Sequence, residues 1–210
     1  MRGDFANLGI SLSLTEETWL SARDLAKAAH SQGKKVCFDF NFRPSLNTEE
    51  GKKTLMKVRY EEILPYCDVV FGSVRDLTEL LMLSDQPMVS EQEEIQLIQN
   101  FLAFNDIEWF AGTRRILQVD KQLIAGRIVT KDKAIETEPH SLKVLDRIGA
   151  GDAYASGVLL GYAEGWSLEK TAKFATTNTV LSHTMMGDVS LTTREQVEQV
   201  IENPEIDILR

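Results

Sequence analysis

A glycine-rich loop followed by an aspartate is the part of the sequence most able to do chemistry. It reads Gly149-Ala150-Gly151-Asp152 and lies between an apolar run and a stretch with helical periodicity. Glycines at a helix start let the backbone approach a ligand closely. The free N–H groups there, together with the positive end of the helix dipole, form an anion site. A phosphate group would fit such a site.

Asp152 would stand in the first turn of this helix, beside the anion site. A carboxylate in that place can accept the proton of a hydroxyl that attacks a phosphoryl group, while the amides stabilise the transferred charge. No G-x-x-x-x-G-K-[ST] motif occurs, so a Walker loop is not the phosphate site. The loop alone leaves a second interpretation open, in which the glycines merely form a tight turn and Asp152 merely favours the helix N-terminus.

Composition and charge exclude several other functions. The 210 residues include 23 Lys+Arg and 32 Asp+Glu, which gives a net charge of −9, and the basic residues cluster no further than adjacent pairs. We therefore expect no nucleic-acid partner. The longest apolar runs fall far short of the ~18 residues that span a bilayer, and no signal pattern opens the chain, so we expect a cytoplasmic protein without a membrane partner. Cys37 and Cys67 lie in apolar segments and suit buried thiols.

Helical periodicity alternates with short β-branched runs along the chain, which is typical of an α/β protein with a parallel sheet covered by helices. Capping-box spacing from Ser13 to Glu16 predicts a helix over 16–31 that ends at Gly33, and a buried strand is predicted at 36–40. A single domain over 1–210 is expected. Further helices are predicted at 51–64, 74–83, 90–104, 151–165, 168–186 and 192–201, and further strands at 68–71, 107–111, 115–119 and 123–129, the last two as a hairpin.

A longer motif surrounds the loop. Residues 146–157 read D-R-I-G-A-G-D-A-Y-A-S-G, which resembles the D-x-x-G-A-G-D-x-[FY]-x-x-G signature of the ribokinase-like (PfkB) carbohydrate kinases. Arg147-Ile148 is the variant associated with bacterial 2-keto-3-deoxygluconate kinases. Segments 36–44, 68–72 and 174–188 are similar to the same subfamily, so the resemblance covers nearly the whole chain. It implies a ribokinase-like three-layer α/β/α fold with a mainly parallel central sheet.

The resemblance also implies roles for individual residues. Asp152 would be the catalytic base that deprotonates a sugar hydroxyl, and 149–151 would form the anion hole. Arg43 would contact the carboxylate of a sugar acid, for which a planar guanidinium is suited, and Asp188 would lie on the substrate side. Asn41 would lie near the nucleotide phosphates. Both Asn41 and Arg43 follow a predicted strand, where ligands bind in open parallel sheets.

Three more positions complete the implied site. Arg114 falls before the predicted hairpin on the nucleotide side, with the register open by one residue. Asp146 would lie near a monovalent-cation site, although Asp146 and Asp188 would also fit as ordinary turn carboxylates. Asp76 would help to organise magnesium, but the family's N-x-x-E reads S-V-R-D at 73–76, which predicts weaker metal handling. The implied cofactors are ATP and Mg²⁺, with K⁺ as a further option.

The start of the sequence departs from the family pattern. Residues 1–10 look like the interior of the family fold, so we expect the N-terminal strands, the small β lid over the sugar and an early sugar-binding aspartate to be missing. Such a chain would leave strand edges unpaired and the sugar pocket open to water. It could be a fragment, a misassigned start or a product that has lost activity.

The leading hypothesis is a sugar kinase that transfers the γ-phosphoryl group of ATP to a hydroxyl of a small-molecule sugar acid, with 2-keto-3-deoxygluconate converted to its 6-phosphate. The alternatives are a kinase for another sugar and a truncated, non-catalytic nucleotide-binding protein. Exposed edge strands would also allow a homo-oligomer.

Overall fold

The computed structural model describes residues 5–9, 11–48, 50–86 and 89–203. It divides into two compact units, of which the first comprises Met1–Phe110 with Val129–Lys133 and the second comprises Ala111–Ile128 with Ala134–Arg210. Units of this kind can belong to one domain, and the single domain over 1–210 stays a prediction. In the part of the chain that the structure describes, no helix is long and apolar enough to cross a membrane.

The first unit alternates strands and helices as the sequence predicts. Its elements in chain order are β1 (Phe5–Leu8), α1 (Ser11–Leu14), α2 (Glu16–Ser31), β2 (Lys35–Asp39), a 3₁₀ turn (Pro44–Leu46), α3 (Lys52–Ile63), a 3₁₀ turn (Leu64–Tyr66), β3 (Val69–Phe71), a π-helical turn (Asp76–Leu80) and α4 (Glu91–Asn105). Strands β1, β2 and β3 are neighbours in that order and run parallel, with Cys37 opposite Val69. Of the segment 1–10, residues 1–4 and 10 lie outside the described residues.

The structure shows which residues begin and end α2. The predicted capping box at Ser13 is wrong, because the helix begins at Glu16 behind Thr15, whose side chain accepts a hydrogen bond from the Thr18 amide at 3.2 Å. The Thr18 hydroxyl accepts in turn from the Thr15 amide at 3.0 Å. The predicted stop at Gly33 is confirmed: its φ of +69° ends the helix, with Gly33 and Lys34 donating back into the last turn.

Strand β2 is buried on both of its faces. Val36, Cys37 and Phe38 are all inaccessible to solvent, although successive side chains of a strand point to opposite sides. Such burial is typical of a central strand in a sheet that helices cover on both sides, which agrees with the predicted layered α/β fold. Phe38 also joins Phe40 and Tyr60 of α3 in an aromatic cluster with ring centroids 5.0 to 5.6 Å apart. Cys37 and Cys67 are free and buried, as predicted.

The second unit begins with strands and ends with helices. Its elements are most of β4 (Trp109–Gln118), β5 (Lys121–Val129), β6 (Ala134–Glu136), β7 (His140–Ser141), α5 (Ala150–Ala163), α6 (Leu168–Ser182) and α7 (Arg194–Glu202). The strands predicted at 107–111 and 115–119 are parts of one strand, since β4 is continuous through both, so the predicted break between them is wrong. The predicted hairpin is confirmed, because β4 and β5 are neighbours joined by residues 119 and 120. β7 pairs antiparallel with β5.

Helices α5 and α6 pack closely because glycines on α5 face α6. A Cβ atom on Gly157 would lie 2.7 Å from the Cα of Ala175, and one on Gly161 would lie 2.3 Å from the Oγ1 of Thr171. These residues therefore leave no room for a side chain. α6 ends at Ser182, four residues before its predicted end, and Gly187 follows with a φ of +105°.

Candidate active site

The start of α5 carries the amides that the sequence predicts as an anion hole. Gly149 precedes the helix with a φ of +77° and offers no side chain to cap it. The first intrahelical bond is donated by the Ala153 amide to the Gly149 carbonyl at 2.9 Å. The amides of Ala150, Gly151 and Asp152 therefore have no acceptor within the helix. A Cβ atom on Gly151 would meet nothing within 4 Å, so the space beside these amides is open.

Asp152 lies in the first turn of α5 with an exposed side chain. Among the described residues, none hydrogen-bonds its carboxylate. The carboxylate is thus free to accept a proton from an incoming group, and it sits one residue from the open space at Gly151. One helix turn thus brings together the predicted anion site and the predicted base.

Gly149 also fixes the position of the Asp188 segment. A Cβ atom at Gly149 would lie 2.2 Å from the carbonyl oxygen of Asp188, so the backbone at Asp188 packs directly on the glycine. The side chain of Asp188 is exposed. The structure therefore places the predicted substrate-side residue next to the predicted anion hole, as two turns in contact.

The Asp146 carboxylate connects the same two turns through hydrogen bonds. Its Oδ1 accepts from the amides of Arg147 at 2.6 Å and Ile148 at 3.1 Å, and its Oδ2 accepts from the Gly187 amide at 3.2 Å. These amides, that of Ile148 foremost, hold the pKa of the Asp146 carboxyl below its usual value. A cation at Asp146 would have to share oxygens that already hold the loop in shape, and the predicted metal role stays a prediction.

Asn41 and Arg43 follow β2 in the first unit. Asn41 has a positive φ of 37°, and its amide donates to Asp39 Oδ1 at 3.0 Å, which turns the chain sharply at the strand end. The Asn41 Oδ1 accepts from Arg43 Nε at 3.0 Å. Asn41 thereby orients the guanidinium, while Arg43 stays exposed and keeps its terminal nitrogens for an anion.

Asp76 lies at the corresponding end of β3. Its Oδ2 accepts from the Ser73 amide at 2.7 Å and the Ser73 hydroxyl at 2.8 Å. Burial raises the pKa of Asp76, although the bonds from Ser73 oppose that effect. A Cβ atom on Gly72 would lie 3.2 Å from the same oxygen and 2.8 Å from the Phe40 ring, so the ends of β2 and β3 share one edge of the sheet. The carboxylate is therefore already engaged by Ser73.

Arg114 lies on β4 in the second unit and pairs with Glu136 of β6. Arg114 donates through Nε at 3.0 Å and through Nη2, and the buried Arg127 donates to the other carboxylate oxygen at 2.6 Å. Burial raises the pKa of Glu136, but the hydrogen bonds and charges of the two arginines outweigh it, so the pKa lies below the usual value. No sequence signal pointed to Glu136, which lies 22 residues from Arg114.

The structure therefore gathers the predicted residues into two groups. Asn41, Arg43 and Asp76 share a sheet edge in the first unit. The second unit brings together Asp146, the loop 149–152 and Asp188, while Arg114 pairs with Glu136. Among the described residues there is no group of three or more His, Cys, Asp or Glu side chains that could hold a metal ion.

The chain is similar to several known proteins. Residues 5–190 match the model of the pfkB family carbohydrate kinases. A curated 2-dehydro-3-deoxygalactonokinase from Haloferax volcanii is 26% identical over 208 residues, which are 98% of this chain and 59% of that protein. A solved structure from Enterococcus faecalis, described as a "putative 2-keto-3-deoxygluconate kinase", is 50% identical with a TM-score of 0.93, covering 99% of this chain and 61% of that one.

A more distant structure shares the fold alone. It is an E. coli protein described as a "putative Ribokinase II" in complex with ATP and Mg²⁺, with 14% identity and a TM-score of 0.73, covering 95% of this chain and 58% of that one. The chain thus spans about 60% of the length of each of these relatives.

Proposed function

Because this chain belongs to the pfkB family of carbohydrate kinases, we propose that it transfers the γ-phosphoryl group of ATP to a hydroxyl of a sugar acid. The first turn of α5 carries this proposal. Its three amides have no intrahelical acceptor, the space at Gly151 is open, and the exposed Asp152 carboxylate has no partner among the described residues. These are the features that phosphoryl transfer needs from a protein.

In the proposed reaction Asp152 accepts the proton of the sugar hydroxyl as its oxygen forms a bond to the γ-phosphorus. The bond between that phosphorus and the bridging oxygen breaks, and ADP leaves with the electron pair. The amides of Ala150 and Gly151 stabilise the negative charge on the transferring group. Asp188, held beside Gly149, lies on the sugar side.

The donor set fits a magnesium ion that arrives with the nucleotide. Mg²⁺ is bound by one or two carboxylates together with substrate phosphates, and it would neutralise charge on those phosphates. Asp76 is a partly buried carboxylate at a strand end, which suits this secondary role. Asp146 is the corresponding candidate for K⁺.

The proposed substrate is 2-keto-3-deoxygluconate, phosphorylated at its 6-hydroxyl. The 50% identity to the Enterococcus faecalis structure supports this choice, and Arg43 supplies an exposed guanidinium for the carboxylate of such an acid. The Haloferax volcanii relative supports a neighbouring sugar acid instead, with 3-deoxygalactonate stereochemistry. Measuring ADP release with each of the two acids distinguishes between these two candidate substrates.

The test is sugar-dependent release of ADP by the purified chain with ATP and Mg²⁺. We expect release with 2-keto-3-deoxygluconate, and we expect the Asp152→Asn variant to lose at least about 100-fold in kcat while ATP affinity stays within about threefold. Glu195→Gln is the matched control, because it removes a carboxylate from the first turn of α7 without touching the loop. Full turnover by Asp152→Asn would overturn the assignment of the base.

One observation favours a second candidate function, that of a non-catalytic nucleotide-binding protein. Asp76 is already hydrogen-bonded by Ser73, so a metal ion would have to compete for its oxygen. This alternative predicts ATP binding without ADP release under any sugar acid of the panel.

A further inference from the structure

The side chain of Asn178 joins three separate segments of the second unit. Asn178 lies on α6 and is only 8% exposed. Its Nδ2 donates to the Ala153 carbonyl of α5 at 2.8 Å and to the Ser156 hydroxyl at 3.3 Å. Its Oδ1 accepts from the Thr192 hydroxyl at 2.6 Å. A single buried amide thus connects α5, α6 and the segment that precedes α7.

Packing of the two helices does not require this amide. Toward the far end of α5, the contact with α6 is made by Gly161 against Thr171 and then by Gly157 against Ala175. One helical turn further along the same interface, Ala153 of α5 meets Asn178 of α6. Small residues would continue the close packing there, yet the position holds a polar side chain whose burial is favourable only when its hydrogen bonds are made.

Beyond the packing of the Asp188 backbone on Gly149, the segment 188–192 is held by polar contacts rather than by apolar ones. Its apolar side chains point to solvent: Val189 is 65% and Leu191 is 78% exposed. Ser190 and Thr192 instead share a hydrogen bond of 2.7 Å between their hydroxyls, and the Thr192 hydroxyl donates in turn to Asn178 Oδ1. On the other side of Asp188, the Gly187 amide is bound by Asp146. Asp188 therefore lies between two hydrogen-bonded positions: Gly187, which is bound by Asp146, and Thr192, which is bound by Asn178.

We propose that Asn178 is a positioning residue, which fixes the segment carrying Asp188 against the helix turn carrying Asp152. Its amide binds the carbonyl of Ala153, the residue after Asp152, and the hydroxyl of Thr192, four residues after Asp188. It touches neither carboxylate. The role for catalysis rests on the proposed function, whereas the role in holding the segment does not.

Two variants of Thr192 isolate the bond. Thr192→Val keeps the shape and removes the hydroxyl, and Thr192→Ser keeps the hydroxyl. Asn178→Ala removes both arms of the link. Thr179→Val is the matched control, because Thr179 is buried on the same helix and, within the described part of the chain, its hydroxyl bonds only to the Ala175 carbonyl of its own helix.

Hydrogen exchange measured by mass spectrometry tests the structural step in the full chain. We expect the amides of peptides covering 186–193 and 149–154 to exchange at least about tenfold faster in Asn178→Ala and Thr192→Val, and at wild-type rates in Thr192→Ser and Thr179→Val. Acceleration spread evenly over the whole chain, or an equal local effect in Thr179→Val, would overturn the positioning role.

Kinetics test the catalytic step. We expect Asn178→Ala to lower kcat/KM for the sugar acid by 10- to 100-fold, as loss of a supporting contact does, while directly measured ATP affinity changes less than threefold. The Asn178→Ala/Thr192→Val double variant should lose no more than the worse single variant, because both remove one link. Additive losses would overturn the proposal. If the wild-type chain releases no ADP, the proposed function fails while the exchange result still decides the structural link.

Discussion

At the scale of single residues, the two glycines of the loop do different work. Gly149 has a positive φ and packs on the Asp188 carbonyl, so both its conformation and its lack of a side chain are needed for the fold. Gly151 has ordinary helical conformation and faces open space, so nothing in the fold requires it. The requirement at Gly151 comes from the ligand that the loop is proposed to bind.

Alanine at each glycine separates the two roles. Gly149→Ala should destabilise the protein by about 2 kcal/mol or more, because the new methyl group meets backbone and the φ is unfavourable. Gly151→Ala should leave the free energy of unfolding within about 1 kcal/mol, on the stabilising side, because alanine is the better helix former. It should nevertheless weaken ATP binding at least about tenfold.

The measurements are urea unfolding and equilibrium binding of ATP for both variants. Unchanged ATP affinity in Gly151→Ala would contradict the anion hole, since the methyl group would then occupy no space that the phosphate needs.

At the scale of elements, the site depends on how turns are tied to helix ends. The His183 carbonyl at the end of α6 accepts from the Leu145 amide at 2.8 Å, and the Asp146 carboxylate then reaches the Gly187 amide. The loop before α5 and the turn after α6 are thereby held together by backbone groups and one ionised side chain. The charge of Asp146 is the part of this link that pH can remove.

Stability should therefore depend on pH through Asp146. Its pKa is lower in the folded state than in the unfolded state, where it is about 3.9, so the folded state binds its proton less readily. The stabilisation is fully present above the unfolded pKa and is lost as the pH falls through the folded pKa. We expect the difference in urea midpoint between the wild type and Asp146→Asn to be largest near pH 6 and to shrink below pH 4.

Asp120→Asn serves as the control, because it removes an exposed carboxylate in the hairpin turn between β4 and β5. A midpoint difference for Asp146→Asn that stays constant from pH 7 to pH 3 would contradict the role of the carboxylate charge.

At the scale of the whole molecule, the two units are interwoven along the chain. The chain passes from one unit to the other after Phe110, after Ile128 and after Lys133, so neither unit is a continuous stretch of sequence. Domain boundaries usually fall in exposed linkers that the chain crosses once. The pattern of three crossings favours one cooperative domain.

Tryptophan fluorescence can test this cooperativity. Trp19 and Trp109 lie in the first unit and Trp166 lies in the second. We expect urea transitions of a Trp166→Phe variant and of a Trp19→Phe/Trp109→Phe variant to coincide, each after correction for the stability measured by circular dichroism. Two midpoints that remain apart would show that the units unfold separately and that 1–210 holds two domains.

Much of the fold was predictable because its signals are local. The periodicity of 16–31 and the buried strand at 36–40 are confirmed, as are Gly33 as a helix stop and the hairpin of β4 and β5. The predictions failed where neighbouring residues offer alternative positions for a helix cap or a strand end. Thr15, rather than Ser13, caps α2, and β4 runs through the residues between two predicted strands. In both cases the alternatives differ by only a few residues.

For the candidate site, the loop at 149–152 could be predicted from the residues alone, because the glycines, the aspartate and the helix that follows are consecutive. What surrounds the loop became visible only in the folded structure. The Asp188 carbonyl against Gly149, the Thr192 hydroxyl on Asn178 and Glu136 between two arginines join residues 9 to 39 positions apart. Such contacts depend on how helices and turns are placed in space, which no local pattern of residues specifies.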